Sequence, residues 1–201
     1  MTRATGLPSS TIIAGVFVGG ASRRMGGKPK GLLEAPDGKA IAARTIALAR
    51  AVASEVVLVG RHPAYDALGI TAIDDAAPAD ARSGERFGPL AGLVALLEHA
   101  GARFAIALAC DMPRITGTLL ARLANADDAA IVSARTDDRW SPLFARYDPA
   151  RVLDAARARL NARELSLQPL FDALGARALS LDDAETRALV DWDSPEDIDS
   201  T

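Results

Sequence analysis

Between Val18 and Leu33 the chain reads VGGASRRMGGKPKGLL, two glycine pairs interleaved with Arg23, Arg24, Lys28 and Lys30, with no acid before Glu34. Glycine lets the backbone come close to a ligand and turn its N–H groups inward, and the cations add charge. The chemistry on offer is therefore the gripping of an anion, phosphate first. Lysine use marks the same place, since Lys39 is the only lysine outside this stretch. Asp111, in ACDMP, offers the complementary chemistry: a hard oxygen ligand suited to Mg²⁺, at the end of the most apolar run of the sequence. GPLAGL, Gly88 to Leu93, adds a glycine-proline helix start whose free N–H groups suit a base or a phosphate. Each feature has a plainer reading: a solvated surface loop, a turn or N-cap carboxylate before Pro113, an ordinary helix start.

Two familiar phosphate motifs fail on spacing. A P-loop needs glycine, four residues, then Gly-Lys-Ser/Thr, but Gly27-Lys28 is followed by Pro29, and Ser22 stands where the first glycine belongs. The dinucleotide fingerprint fails too, because Ala-Ser-Arg-Arg-Met separates Gly19-Gly20 from Gly26-Gly27. Hydride transfer loses its main support.

The elements that must position these residues follow from periodicity. Apolar runs of strand length alternate with helical patterns, as in βαβ units on a mostly parallel sheet. Strands are expected at Ile12 to Val18, Ser54 to Gly60, Ile70 to Asp75 and, centrally, Phe104 to Asp111. Ile41, Thr45, Leu48 and Val52 predict one helix; Leu90, Leu93, Val94 and Leu97 predict another. The second half predicts strands at Ala129 to Ala134, Leu143 to Tyr147, Ala176 to Leu181 and Leu189 to Asp193, with helices over Pro149 to Leu160 and Leu167 to Leu174. Ser194-Pro195-Glu196-Asp197 reads as a helix start.

At 201 residues, 49% hydrophobic and 24% charged, the chain predicts one ordinary globular α/β domain. A net charge of -3 supplies no general field for nucleic acid or an anionic membrane, so an anion must be held by a local site, which favours a small ligand. No apolar run approaches the ~20 residues of a membrane span and no signal-like block stands at Met1 to Ser10, so a cytoplasmic protein is expected. Cys110 is the single cysteine, and His62 and His99 lack ligand spacing, which argues against a disulfide or a zinc site. Cys110 is expected to fill a tight place in the central strand rather than act as a nucleophile.

Together these segments resemble the molybdenum cofactor guanylyltransferases, within the wider nucleotidyltransferase superfamily. GGASRRMGGKPKGLL matches the family pattern of Gly-Gly, Arg-Met-Gly and Lys-x-Leu-Leu; GPLAG and CDMP match its second and third motifs in order; DWDSPED is similar to its closing segment. The likeness runs from about Ile12 to Asp197. It implies a three-layer α/β/α fold with a mostly parallel, Rossmann-like sheet of the nucleotide-diphospho-sugar transferase type. One domain would span 1–201, with a nucleotide-binding half at about 12–112 and an acceptor-binding half at about 113–201.

Carried over by position, the resemblance implies that Phe17, Val18 and Gly19 meet the nucleotide through their backbone, while Gly20, Arg24 and Lys30 hold its phosphates. Asp75 would contact the nucleoside, Gly88, Pro89 and Leu90 would form the turn beside guanine, and Asp111, joined by Asp193, would bind Mg²⁺. Arg24, Lys30 and Asp111 are the catalytic candidates. The implied reaction moves GMP from GTP to the terminal phosphate of molybdopterin, or of its molybdenum form, with molybdoenzymes or other cofactor-assembly proteins as candidate partners. Val18, Pro29, Asp191, Asp193 and Ser141 depart from the family pattern, and Ser141, Pro142, Arg163 and Asp193 lack a spacing signal for the acceptor pocket. Trp192 is expected in packing; Trp140 either lines the acceptor pocket or packs. The rivals are a nucleotidyltransferase using CTP on molybdopterin or on a small alcohol or sugar phosphate, and a non-catalytic module that binds nucleotide or molybdopterin.

Overall fold

A computed structural model describes residues 11–18 and 29–192. Its frame is one seven-stranded sheet in the order β3-β2-β1-β4-β6-β5-β7, built from β1 (Ile12–Phe17), β2 (Glu55–Val59), β3 (Ala72–Ile73), β4 (Phe104–Ala109), β5 (Ile131–Thr136), β6 (Arg139–Tyr147) and β7 (Arg177–Ala178). All pairings are parallel except those of β6, which runs antiparallel to both β4 and β5. β1 is buried along its whole length and β4 along all but its first residue, as continuous apolar runs in a sheet covered on both faces require.

The helices are α1 (Ile41–Arg50), α2 (Gly88–Ala100), α3 (Gly117–Ala124), α4 (Pro149–Asn161), α5 (Gln168–Ala173) and α6 (Asp183–Ala188). On one face Ile13 and Phe17 of β1 share a core with α2, α4 and α5; on the other, Ile12 and Ala14 pack with Ala49 of α1 and the leucines of α3. The expected three layers are therefore present. α2 is apolar on nearly every side, with Leu90, Leu93, Val94, Leu96 and Leu97 at most 1% exposed, each worth about 2 kcal/mol of burial. Among the described residues no helix is long and apolar enough to cross a membrane.

Four expectations about elements need correction. Leu189 to Trp192 is not a strand: α6, opened by a capping box between Asp182 and Glu185, ends just before it, and the Trp192 N–H is donated to the Asp111 carbonyl at 2.9 Å. α3 was not expected: its apolar face of Leu119, Leu120 and Leu123 is clear but spans only eight residues after a glycine; the Thr116 side chain caps it by accepting from Leu119 N–H. β3 and β7 shrink to two residues each, since they are the edge strands and pair on one side only. β6 begins at Arg139, so Trp140, Ser141 and Pro142 lie in a strand rather than a loop. The helix start at Ser194-Pro195 lies outside the described residues.

Candidate functional site

The order β3-β2-β1-β4 means that the chain builds outward from β1 on one side and then returns to add β4 on the other. The carboxyl ends of β1 and β4 thus flank a topological switch point, where open α/β sheets bind ligands. In parallel register Phe17 stands opposite Ala109, so Val18 after β1 and Cys110-Asp111 after β4 leave the sheet side by side. Past the glycines, Pro29 and a single 3-10 turn, Lys30–Leu32, carry the chain back to this edge. There the Lys30 ammonium donates to Asp111 Oδ2 at 3.3 Å, both side chains about one-fifth exposed (18% and 20%).

Asp75 follows β3 on the same edge. The Ala76 N–H is donated to the Ala91 carbonyl of α2 at 3.1 Å, which brings Asp75 against the first turns of that helix. Gly92 makes this possible: a Cβ there would lie 2.8 Å from Phe17 Cε1, 2.8 Å from Val59 Cγ1 and 3.2 Å from Asp75 Oδ1. Partial burial, and then the charge of Asp74, raises the pKa of Asp75; Arg86 opposes them. Asp74 is itself bound by Arg61 at 2.5 Å. Gly88 takes φ +61, a left-handed conformation that suits glycine, and Gly88 and Pro89 are exposed while Leu90 is fully buried in the core. Any contact Leu90 makes with a ligand is therefore limited to its backbone. Phe17 and Val18 are also buried, and Val18 donates its N–H to the Val59 carbonyl at 3.1 Å.

The structure thus brings Lys30 and Asp111 together, and Phe17 with Asp75 and α2, along one edge of the sheet. Gly19, Gly20, Arg24 and Asp193 lie outside the described residues. Trp192, immediately before Asp193, is buried against Ala35 and Ile41, as expected for packing. Trp140 packs too: its indole N–H donates to Asp172 at 3.0 Å and its ring lies 5.5 Å from that of Phe171. Arg163 pairs with Asp80 and Glu85 and sits 5.4 Å over the Phe87 ring, so it holds the loop before α2 instead of facing an open pocket.

Sequence reasoning missed three residues. Tyr65 accepts the N–H of Gly31, which follows Lys30, at 3.1 Å, and no spacing signal announces this contact. Arg86 faces Asp75, and its position two residues before Gly88 was the available clue. Cys110 is buried, and burial, followed by the charge of Asp111, pushes its thiol up to about 12, which keeps it protonated. Chemically, the edge offers an ammonium beside a carboxylate, and the only thiol is unreactive.

Comparison with known proteins bears on the same surface. The model of the MobA-like NTP transferase domain matches residues 14–174. The molybdenum cofactor guanylyltransferase of Pseudomonas putida strain GB-1 is 32% identical over 186 residues, covering 90% of this chain and 92% of the relative. The crystal structure of molybdopterin-guanine dinucleotide biosynthesis protein A from Archaeoglobus fulgidus superposes with a TM-score of 0.72 at 19% identity, over 94% of this chain and 95% of that one. That of 2-C-methyl-D-erythritol 4-phosphate cytidylyltransferase from Thermus thermophilus superposes with a TM-score of 0.62 at 17% identity, over 92% and 95%. At such identities the two structures speak for the fold alone.

Proposed function

Because the chain belongs to the MobA-like NTP transferase family, we propose that it is a molybdenum cofactor guanylyltransferase, moving GMP from GTP to the terminal phosphate of molybdopterin or of its molybdenum form. The observation that carries this reading is the meeting of Lys30 with Asp111 at the β1/β4 switch point. An oxygen of the acceptor phosphate attacks the α-phosphorus of GTP, the bond from that phosphorus to the bridging oxygen breaks, and pyrophosphate leaves with the electron pair. No protein nucleophile is needed, in keeping with a buried, protonated Cys110. What the protein must overcome is the repulsion of two anions, so catalysis rests on orientation and fixed positive charge.

Each residue has a stated task in this reading. Lys30 supplies a compact ammonium to the phosphate oxygens, and Arg24, Gly19 and Gly20, on the strength of their motif, wrap the same group. Phe17 and Val18 form the floor beneath the nucleotide, Asp75 accepts from the nucleoside, and Gly88 and Pro89 border the guanine with the backbone of Leu90.

The residues present fit a divalent cation. Asp111 is a partly exposed carboxylate at the sheet edge, and among the described residues no set of three acids, histidines or cysteines closes a cage of protein ligands. That suits Mg²⁺, which is commonly held by one or two carboxylates plus substrate phosphates. Asp111 would hold it, with Asp193 as second candidate, supported by the bond from Trp192 N–H to the Asp111 carbonyl. When bound, the ion neutralises phosphate charge and lowers the barrier to pyrophosphate departure. The reading also assigns the protein to the cytoplasm, where nucleoside triphosphates are abundant.

The test is pyrophosphate release from each of the four nucleoside triphosphates with Mg²⁺ and molybdopterin. GTP is expected to be preferred; preference for CTP would instead assign a cytidylyltransferase, and saturable GTP binding without turnover would assign a binding module.

A further inference from the structure

Beside the Lys30–Asp111 pair lies a buried hydrogen bond that the transfer chemistry does not itself require. Tyr65 stands on the 3-10 turn Pro63–Leu68 that follows β2 and is 2% exposed. Its hydroxyl oxygen accepts the Gly31 N–H at 3.1 Å, and Gly31 directly follows Lys30. Its ring shares a buried apolar cluster with Cys110, the residue before Asp111.

Local packing sharpens the point. A Cβ on Gly31 would lie 2.8 Å from Tyr65 Oη, 3.0 Å from Tyr65 Cε1 and 2.9 Å from the Ala42 Cβ, so the peptide after Lys30 rests directly on the ring and only glycine permits it. The ring itself packs in an apolar cluster with Val16, Val18, Ile46 and Leu58 and meets His62 edge-on at 5.8 Å. Phenylalanine would satisfy all of that packing. The hydrogen bond of the hydroxyl is to the Gly31 amide beside Lys30, and burial, which pushes the phenol well above its ordinary pKa, keeps it neutral across the working pH range.

We propose that Tyr65 is a positioning residue for nucleotidyl transfer: its hydroxyl holds the Gly31 amide and so fixes the aim of the Lys30 ammonium toward the Asp111 carboxylate. This inference rests on the function proposed above. A charge acts on a transition state only if it is already in place, so loosening the tie lowers kcat more than it weakens GTP binding.

The experiment compares wild type, Tyr65→Phe and Gly31→Ala by pyrophosphate release, well below each Tm. Tyr65→Phe is expected to lower kcat about tenfold while KM for GTP stays within about threefold. Wild-type kcat in Tyr65→Phe, even with a lowered Tm, overturns the proposal. Should Tyr65→Phe fail to fold, Gly31→Ala, whose methyl pushes the same peptide off the ring, carries the test and must lower kcat by itself. If wild type turns over no nucleoside triphosphate, the function reading fails, and hydrogen exchange at the Gly31 amide decides this inference separately. Exchange about tenfold faster in Tyr65→Phe, with α2 amides unchanged, supports the tie; unchanged exchange at Gly31 ends it.

Discussion

The Lys30 ammonium and the Asp111 carboxylate, 81 residues apart in the chain, meet at 3.3 Å beside the carboxyl ends of β1 and β4. Both are only partly exposed, so the pair is shielded enough to act on a ligand and open enough to receive one. As a stabilising ion pair it is minor, worth about 1 kcal/mol or less.

Replacing either residue should therefore separate activity from folding. Lys30→Ala and Asp111→Ala are each expected to keep the wild-type circular dichroism spectrum and a Tm within a few degrees, while kcat for pyrophosphate release falls by about a hundredfold or more, the usual cost of losing a preorganised charge. Near-normal turnover in either variant would remove that residue from the mechanism.

Gly92 holds α2 against the ends of β1 and β2 and against Asp75. In Gly92→Ala the new methyl must displace Phe17 or Val59, and overpacking of this kind costs about 1–3 kcal/mol. Urea denaturation should register that loss, and KM for GTP should rise because the Asp75 carboxylate moves with the helix. A variant as stable as wild type, with an unchanged KM, would show that the helix has slack here.

Asp75 carries a pH signature. Burial first, then the charge of Asp74, raises its pKa, with Arg86 opposing. A raised carboxylate pKa means that the folded protein holds the proton more tightly than the unfolded chain. The group therefore favours folding below the ordinary aspartate pKa and opposes it once pH exceeds the folded value. Asp75→Asn should raise Tm at pH 7, with the gain closing as pH falls to about 4, while GTP affinity drops. If Tm at pH 7 falls instead, the carboxylate is held by more favourable contacts than these.

Arg146 is the most deeply buried charge among the described residues, at 1% exposure. It lies 4.9 Å over the Phe104 ring and donates to the carbonyls of Ala124, Ala126 and Asp127, closing the end of α3. Arg146→Leu leaves those three carbonyls without their donor and should cost about 3 kcal/mol, read as a lower urea midpoint with an unchanged m-value. A midpoint equal to wild type would mean that water replaces the guanidinium fully.

Much of this was legible beforehand. The runs at Ile12 and Phe104 could only be inner strands, because strand-length segments without a polar face must be covered on both sides. Asp111 follows such a strand, so its place at the carboxyl edge of the sheet was readable from the sequence. Trp192 was expected in packing and is packed, though on irregular chain rather than on a strand. The tail misled because Leu-Val-Asp-Trp-Asp alternates like a strand, while the capping box from Asp182 to Glu185 had already committed the preceding stretch to a helix.

What the sequence determined by itself is local: which segments are inner strands, where four of the helices lie, and which side chains could bind phosphate or a cation. Those follow from periodicity, capping and charge, which act between residues a few positions apart. Only the tertiary structure decided that β4 lies beside β1, that Lys30 therefore reaches Asp111, that Arg163 braces a loop, and that a tyrosine from the turn after β2 accepts the amide next to Lys30. Such encounters depend on strand order and on the close packing of groups far apart in the chain, and neither leaves a period or a spacing to read.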